Sequence, residues 1–401
     1  MSDRLLRPAL VLGLLSCIGP FAIDLYLPAM PQIAAALSTS EQGMQATITA
    51  YFLAFGLAQL VYGPWADQAG RKPPLYAGLA VFALGSLICT FAPSAGWLVA
   101  GRAVQGLGGA AVMVIPRAII RDMYTGPRAT QLMAAVMLVI SVSPMLAPLA
   151  GSGLMALAGW RVIFGVLLAA SVVSLLTLIF LQPETLAPAH RHRFHPGETR
   201  AAMGKLLGDK GFLALTFLGG FGMASFFVFI ASAAFVYTEH YGLTPTGFSL
   251  AFAVNALGFF AASQAAGPLG MRHGARRVMG LAATGFGLVT VALAAVAVAG
   301  FSPLWLVIAG LFAANACLGL VIPTAMVMAL DDHGEEAGLA SSLGGTLQMV
   351  AGGVMVALAG PFFDGTPVPM LVTIALCGAA AFALSRVVSG RRTTAAGRNA
   401  A

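Results

Sequence analysis

The chain has 401 residues, of which 59% are hydrophobic and 9% charged, with a mean hydropathy of +0.90. Soluble domains carry about 25% charged residues, so there is too little polar surface here to cover a water-soluble globule. A net charge of +7 would suit a nucleic-acid partner in a soluble protein. In a membrane chain it reports orientation instead, and no nucleic-acid partner is expected.

A bilayer-spanning helix needs about 20 apolar residues, and turn signals divide the chain into twelve such runs. In order they cover 8–33, 44–66, 74–92, 97–121, 130–156 and 161–181, then 212–238, 246–270, 277–299, 302–329, 337–362 and 368–388. The content of 48 Gly and 25 Phe suits helices that approach closely in lipid through small residues. The fold expected is an all-α membrane protein with twelve transmembrane helices arranged as two pseudo-symmetric six-helix bundles. Residues 1–181 form the first bundle, 182–211 a cytoplasmic linker, 212–390 the second bundle and 391–401 a cytoplasmic tail.

The first run follows Arg4 and Arg7 and resembles a signal peptide at its start. Its apolar stretch far exceeds a signal core of about 7–15 residues and contains Asp24, so a retained span is expected. Asp24 lies within Gly19-Pro20-Phe21-Ala22-Ile23-Asp24-Leu25-Tyr26-Leu27-Pro28 and is the only acid this far inside any apolar run. A charge at membrane depth costs roughly 2.5–3.5 kcal/mol on insertion scales, so it is seldom kept without a use. The flanking prolines each remove a backbone donor and loosen the helix. The competing reading is that Asp24 only caps a kinked helix at the membrane edge.

With the N-terminus inside, all of the 21 lysines and arginines except Arg102 and Arg161 fall in cytoplasmic segments. This bias places both termini in the cytoplasm. Arg102 sits within the fourth run, at Arg102-Ala103-Val104-Gln105-Gly106, about five residues or roughly 8 Å from its outer end. An ion pair with Asp24 across the bundle is compatible with that depth and would ease burial of both. Alternatively Arg102 snorkels to the surface.

The linker Gln182–Gly211 carries three prolines, three histidines and five basic residues, and no apolar run. Six runs precede it and six follow. Gly63-Pro64-Trp65-x-x-x-x-Gly70 matches Gly267-Pro268-Leu269-x-x-x-x-Gly274 at an offset of 204, and Val114-Ile115-Pro116 matches Val321-Ile322-Pro323 at 207. Such repeats mark secondary transporters, whose substrate sites lie near the membrane midplane.

Several chemistries find no support. Cys17, Cys89, Cys317 and Cys377 are scattered in apolar runs without ligand spacing, so neither disulfides nor zinc are expected. His190, His192 and His195 are close together, and read as a solvated basic loop rather than a metal site. No paired acids, nucleophile–base pair or G-x-x-x-x-G-K-[ST] loop is present, which argues against an enzyme or an ATP-driven pump. No cofactor is expected beyond protons as the coupling ion.

Gly63 to Pro73, with Asp67, Gly70, Arg71 and Lys72, resembles the G-x-x-x-D-x-x-G-R-K signature of the major facilitator superfamily. That likeness implies a cytoplasmic latch which breaks as the halves rock; Met271 replaces the acid in the second copy. The Arg102–Gly109 stretch resembles the fourth-span motif, in which the arginine assists proton transfer. Pro144, Pro148 and Gly151 resemble the antiporter bend, with Ala147-Pro148 in place of the usual Gly-Pro. With Asp24–Pro31, Gly159-Trp160-Arg161-x-x-Phe164 and Ala340–Gln348, the whole chain is similar to the bicyclomycin-resistance (Bcr/CflA) drug–proton antiporters. The resemblance implies proton-driven efflux of small drug-like molecules from the bacterial inner membrane by a functional monomer, with Asp24 and Arg102 coupling the proton. An exporter or symporter of one metabolite, such as an amino acid or sugar, stays open. Phe21, Tyr26, Tyr51, Phe55, Gln105, Phe226, Phe229, Phe235, Asn255 and Asn315 are the expected cavity residues, a mainly apolar wall with a few polar groups.

Overall fold

A computed structural model describes residues 3–124, 126–191, 196–331, 333 and 337–398, and all secondary structure among them is helical. The helices are α1 (Asp3–Asp24), α2 (Met30–Ala36), α3 (Glu41–Ala69), α4 (Lys72–Thr90), α5 (Ala95–Met123), α6 (Gly126–Ala158) and α7 (Arg161–Leu181). They continue as α8 (Pro196–Gly208), α9 (Lys210–Phe235), α10 (Pro245–His273), α11 (Ala275–Val298), α12 (Leu304–Asp331), α13 (Ala337–Ala359) and α14 (Pro367–Arg398). Twelve segments of the described residues are long and apolar enough to cross a membrane, and they coincide with the twelve expected runs. The first combines α1, a 3₁₀ turn at Leu27–Ala29 and α2.

Most helices overrun their apolar stretch by a few residues because polar ends continue the same hydrogen-bonding pattern. Ser40 accepts from the Gly43 amide to start α3, and Asp209 accepts from the amides of Gly211 and Phe212 to start α9. Gly70 and Gly274, the matched glycines of the internal repeat, both take positive φ (+97° and +85°) where one helix turns into the next. Only glycine does this without strain.

The chain forms two compact units. Unit 1 comprises Met1–His195 with Leu243–Ala253; unit 2 comprises Pro196–Gly242 with Val254–Ala401. Within the segment expected to link the halves, 196–208 is helical as α8. His192, Arg193 and His195 of the basic loop, and the last three residues of the tail, lie outside the described residues.

In unit 1, α5 is the central helix and glycines let its neighbours reach its backbone. A Cβ on Gly106 would sit 2.3 Å from the Tyr51 carbonyl oxygen of α3, and one on Gly108 would sit 2.4 Å from the Gly78 oxygen of α4. In unit 2, Gly319 of α12 meets the Phe259 oxygen of α10 in the same way, at 2.3 Å. Lipid gives helices no hydrophobic reason to associate, so close backbone approach supplies the packing energy instead.

Gly106→Ala is therefore expected to lower the thermal midpoint of the detergent-solubilised protein, since overpacking costs about 1–3 kcal/mol. Gly165→Ala on α7, where a Cβ meets nothing within 4 Å, should be neutral or mildly stabilising. Equal midpoints for the two variants would contradict this account of the packing.

Candidate functional site

Pro28 has no N–H, so the carbonyl of Asp24, four residues earlier, has no helical donor and α1 ends there. The chain continues through short-range bonds, Tyr26 N–H to Ile23 O and Ala29 N–H to Tyr26 O, before α2 resumes with Pro31 in its first turn. The break places Asp24 inside unit 1, where it is 3% exposed. Its carboxylate is buried rather than exposed at the end of α1. The Ser143 hydroxyl of α6 donates to Asp24 Oδ2 at 3.3 Å.

Arg102 of α5 is fully buried and does not snorkel. One guanidinium nitrogen donates to Ala22 O at 2.9 Å and to Gln105 Oε1 at 2.8 Å. Its charge lies over the rings of Tyr51, 4.5 Å away, and Tyr26, 4.9 Å away. Desolvated contacts of this kind are worth about 2 kcal/mol each. No ion pair joins Arg102 to Asp24, which differs from the pairing that depth alone made plausible. Arg102 reaches the backbone two residues before Asp24 and spends its charge on two aromatic faces, and its Nε and second terminal nitrogen have no hydrogen-bond partner among the described residues.

The aromatic faces are themselves held. The Tyr51 hydroxyl donates to Gly19 O at 3.2 Å, and the hydroxyls of Tyr26 and Thr47 lie 2.8 Å apart. Thr47 already donates to Met44 O, so Tyr26 is the donor of that pair. Gln105 donates to Ser86, which donates to Phe82 O. Phe55 stacks on Tyr51, and Phe21 is half-buried nearby in sequence on α1. Five of the expected cavity residues thus belong to unit 1.

In unit 2, Phe229, Phe235, Asn255 and Asn315 are buried, and Phe226 is half-buried and stacked on Phe259. Phe229 meets Tyr237 edge-on.

α6 carries Pro144 and Pro148 inside the helix. A Cβ on Gly151 would sit 2.1 Å from Leu25 O, so α6 lies directly against the break in α1. At the next residue, the Ser152 and Ser249 hydroxyls are 2.7 Å apart, and Ser249 also donates to Pro148 O at 2.9 Å.

At the other end of unit 1, Gly63 and Asp67 are still helical, and the turn narrows to Gly70 and Arg71. Asp67 therefore pairs with Arg71 as an i,i+4 neighbour, at 2.5 Å. Lys72 does not share Asp67; its ammonium lies over Tyr76, 5.6 Å away. Two acids outside the motif complete the cluster. Asp122 of α5 takes Arg71 through both oxygens, at 2.7 and 3.1 Å. Glu184 accepts from the amides of Arg71 at 2.9 Å and Lys72 at 3.0 Å, and from those of Thr185 and Leu186. Partial burial raises its pKa, but the four amide bonds outweigh this and hold it below the ordinary carboxylate value. Arg71 is pushed the other way: burial disfavours its charge, yet the bonds to Asp122 and Asp67 raise its pKa. Neither Asp122 nor Glu184 is legible in sequence, since nothing local marks either as a partner. Among the described residues no group of three His, Cys, Asp or Glu could hold a metal.

The Major Facilitator Superfamily model matches residues 12–238 and 220–400. An MFS-type transporter of Bacillus subtilis, YdgK, is 32% identical over 379 residues, covering 93% of this chain and 94% of that one. A bicyclomycin resistance protein homolog of Haemophilus influenzae is 30% identical, covering 92% of each. Multidrug resistance protein D of Escherichia coli is 34% identical over a shorter stretch, 44% of this chain and 45% of that one. In fold, the chain is similar to a D-xylose–proton symporter, with a TM-score of 0.75 and 13% identity, over 95% of this chain and 96% of the other. Twelve spans, a halved chain with matched turns and these likenesses agree: the chain belongs to the Major Facilitator Superfamily, of the bicyclomycin- and multidrug-resistance type.

Proposed function

We propose that this transporter exports small drug-like molecules across the bacterial inner membrane, driven by protons entering through Asp24. The observation that carries the reading is a buried carboxylate at a helix break with no counter-ion among the described residues, beside a buried arginine whose charge is held by tyrosine rings. A carboxylate so placed is inexpensive to protonate and costly to leave charged. One charge moved through the membrane potential supplies about 2.3 kcal/mol per 100 mV, enough to drive efflux against a modest gradient. Resistance-protein names among relatives at about 30% identity support a drug-like cargo. The lysine and arginine bias supports two cytoplasmic termini, and with them a cytoplasmic place for the Asp67–Arg71–Asp122 cluster. A cluster of that kind holds one state of an alternating-access cycle and opens in the other. In this reading Tyr26, Tyr51, Phe55 and Gln105 of unit 1 contact the cargo, and Phe226, Phe229, Phe235, Asn255 and Asn315 of unit 2 are further candidates for cargo contact. The chain works as a monomer in this reading, with protons in place of a bound cofactor.

In proteoliposomes, Asp24→Asn is expected to insert normally and to reduce drug efflux against a gradient to background. A variant that still concentrates drug overturns the proton role. Arg102→Lys keeps the charge but loses the planar stack on two rings, so it should cut coupled efflux while leaving expression intact, and wild-type efflux would count against the stacked arrangement.

Glu184 gives a pH signature. Its native pKa lies below its ordinary 4.5, so the clasp contributes fully above that value and is lost as pH falls through the lowered native one. Hydrogen exchange at the Arg71, Lys72, Thr185 and Leu186 amides should stay slow through neutral and mildly acid pH and quicken below pH 4.5. Glu184→Ala should show fast exchange throughout; slow exchange in that variant would disprove the clasp.

A further inference from the structure

Most buried helical hydroxyls among the described residues bond back to their own helix. Ser86 donates to Phe82 O, Ser232 to Val228 O and Thr290 to Phe286 O, while Ser171 and Ser385 use the carbonyl three residues earlier. Ser143 is 1% exposed and differs: among the described residues its one hydrogen bond crosses to Asp24 Oδ2. A local acceptor is nevertheless waiting. Pro144 brings no N–H, so the Ile140 carbonyl has no helical donor four residues on. Ile140 stands three residues before Ser143, the spacing that Ser171 and Ser385 use.

We infer that Ser143 is a positioning residue that transmits the protonation of Asp24 to the proline bend of α6. This rests on Asp24 being the proton site proposed above. With Asp24 ionised, the Ser143 hydroxyl donates to the carboxylate, as in the structure. When a proton arrives on Asp24, the new O–H donates to Ser143 Oγ, and the serine hydrogen rotates to the Ile140 carbonyl. Asp24 gains one proton; the serine proton never leaves its oxygen. Back-bonded serines bend helices, and the Ile140–Pro144 step is where α6 has least of its own bonding to resist.

The geometry makes this bend consequential. Gly151, two turns beyond Ser143, touches Leu25 O of the α1 break, so a change of tilt beyond Pro144 is met by the segment that carries Asp24. The other groups facing Asp24 leave Ser143 this role. Arg102 from α5 is engaged with Ala22 O, Gln105 and two rings. Tyr51 from α3 donates to Gly19 O, and Tyr26, in the turn after α1, donates to Thr47. The charged residues of α6 and α7, Arg128 and Arg161, stand at or near the first positions of those helices, far from Ser143.

Infrared difference spectroscopy of the reconstituted full-length protein between acid and neutral pH tests this. The carboxylic acid band of Asp24 is identified as the one lost in Asp24→Asn. Ser143→Ala should shift that band and slow drug-driven proton release roughly tenfold, about the worth of one buried hydrogen bond; Ser143→Thr, which keeps the hydroxyl, should restore both. Pro144→Ala, which returns a donor to Ile140, should leave the Asp24 band in place yet slow coupled release by a similar factor. A band unmoved in Ser143→Ala overturns the inference while leaving the proton site standing, and full coupling in Pro144→Ala overturns the relay to Ile140. If no band is lost in Asp24→Asn, it is the proton site itself that fails.

Discussion

An isolated charge in a low-dielectric interior must be matched or neutralised, and unit 1 is arranged around two of them. Asp24 is met by a single serine hydroxyl. Arg102 is met by a carbonyl, an amide oxygen and two ring faces. Each of those partners is tied in turn, Tyr51 to Gly19, Tyr26 to Thr47 and Gln105 to Ser86. Five segments of unit 1 are thereby committed to one charge. That arrangement gives the arginine two hydrogen-bond acceptors and two ring faces, and the carboxylate one hydroxyl.

Glycine makes the commitment affordable. Arg102 reaches Tyr51 because α5 and α3 touch backbone to backbone at Gly106, and α6 reaches the α1 break because Gly151 has no side chain to hold it off. Proline has the complementary effect. Pro28 strips Asp24 of its helical donor and Pro144 strips Ile140 of its own. Small residues bring the backbones together, and the prolines leave carbonyls without their i+4 helical donor.

The two copies of the internal repeat have diverged in charge while keeping their turn. Gly70 and Gly274 share the left-handed backbone, but only the first copy has the acid that meets its arginine. In the second copy Met271 is 85% exposed, and Arg276 donates to the Val388 carbonyl at 3.0 Å. Nearby, His333 and Asp209 lie 3.3 Å apart. A guanidinium on a neutral carbonyl is a weaker hold than one shared between two carboxylates, so the strong charge cluster belongs to unit 1.

The twelve spans were determined by sequence alone, because about 20 apolar residues in a row have few alternatives in lipid. The halving of the chain, and Asp24 and Arg102 as lone charges within apolar runs, were equally legible, since such a charge stands out in one dimension. Tertiary structure decided what those charges touch. Depth along a helix does not give its rotation, so sequence allowed an Asp24–Arg102 pair where folding set Arg102 between Tyr26 and Tyr51 and gave Asp24 to Ser143. Asp122, Glu184 and Ser143 lie 51, 113 and 119 residues from their partners. No local pattern announces such contacts, because they exist only once the helices have packed.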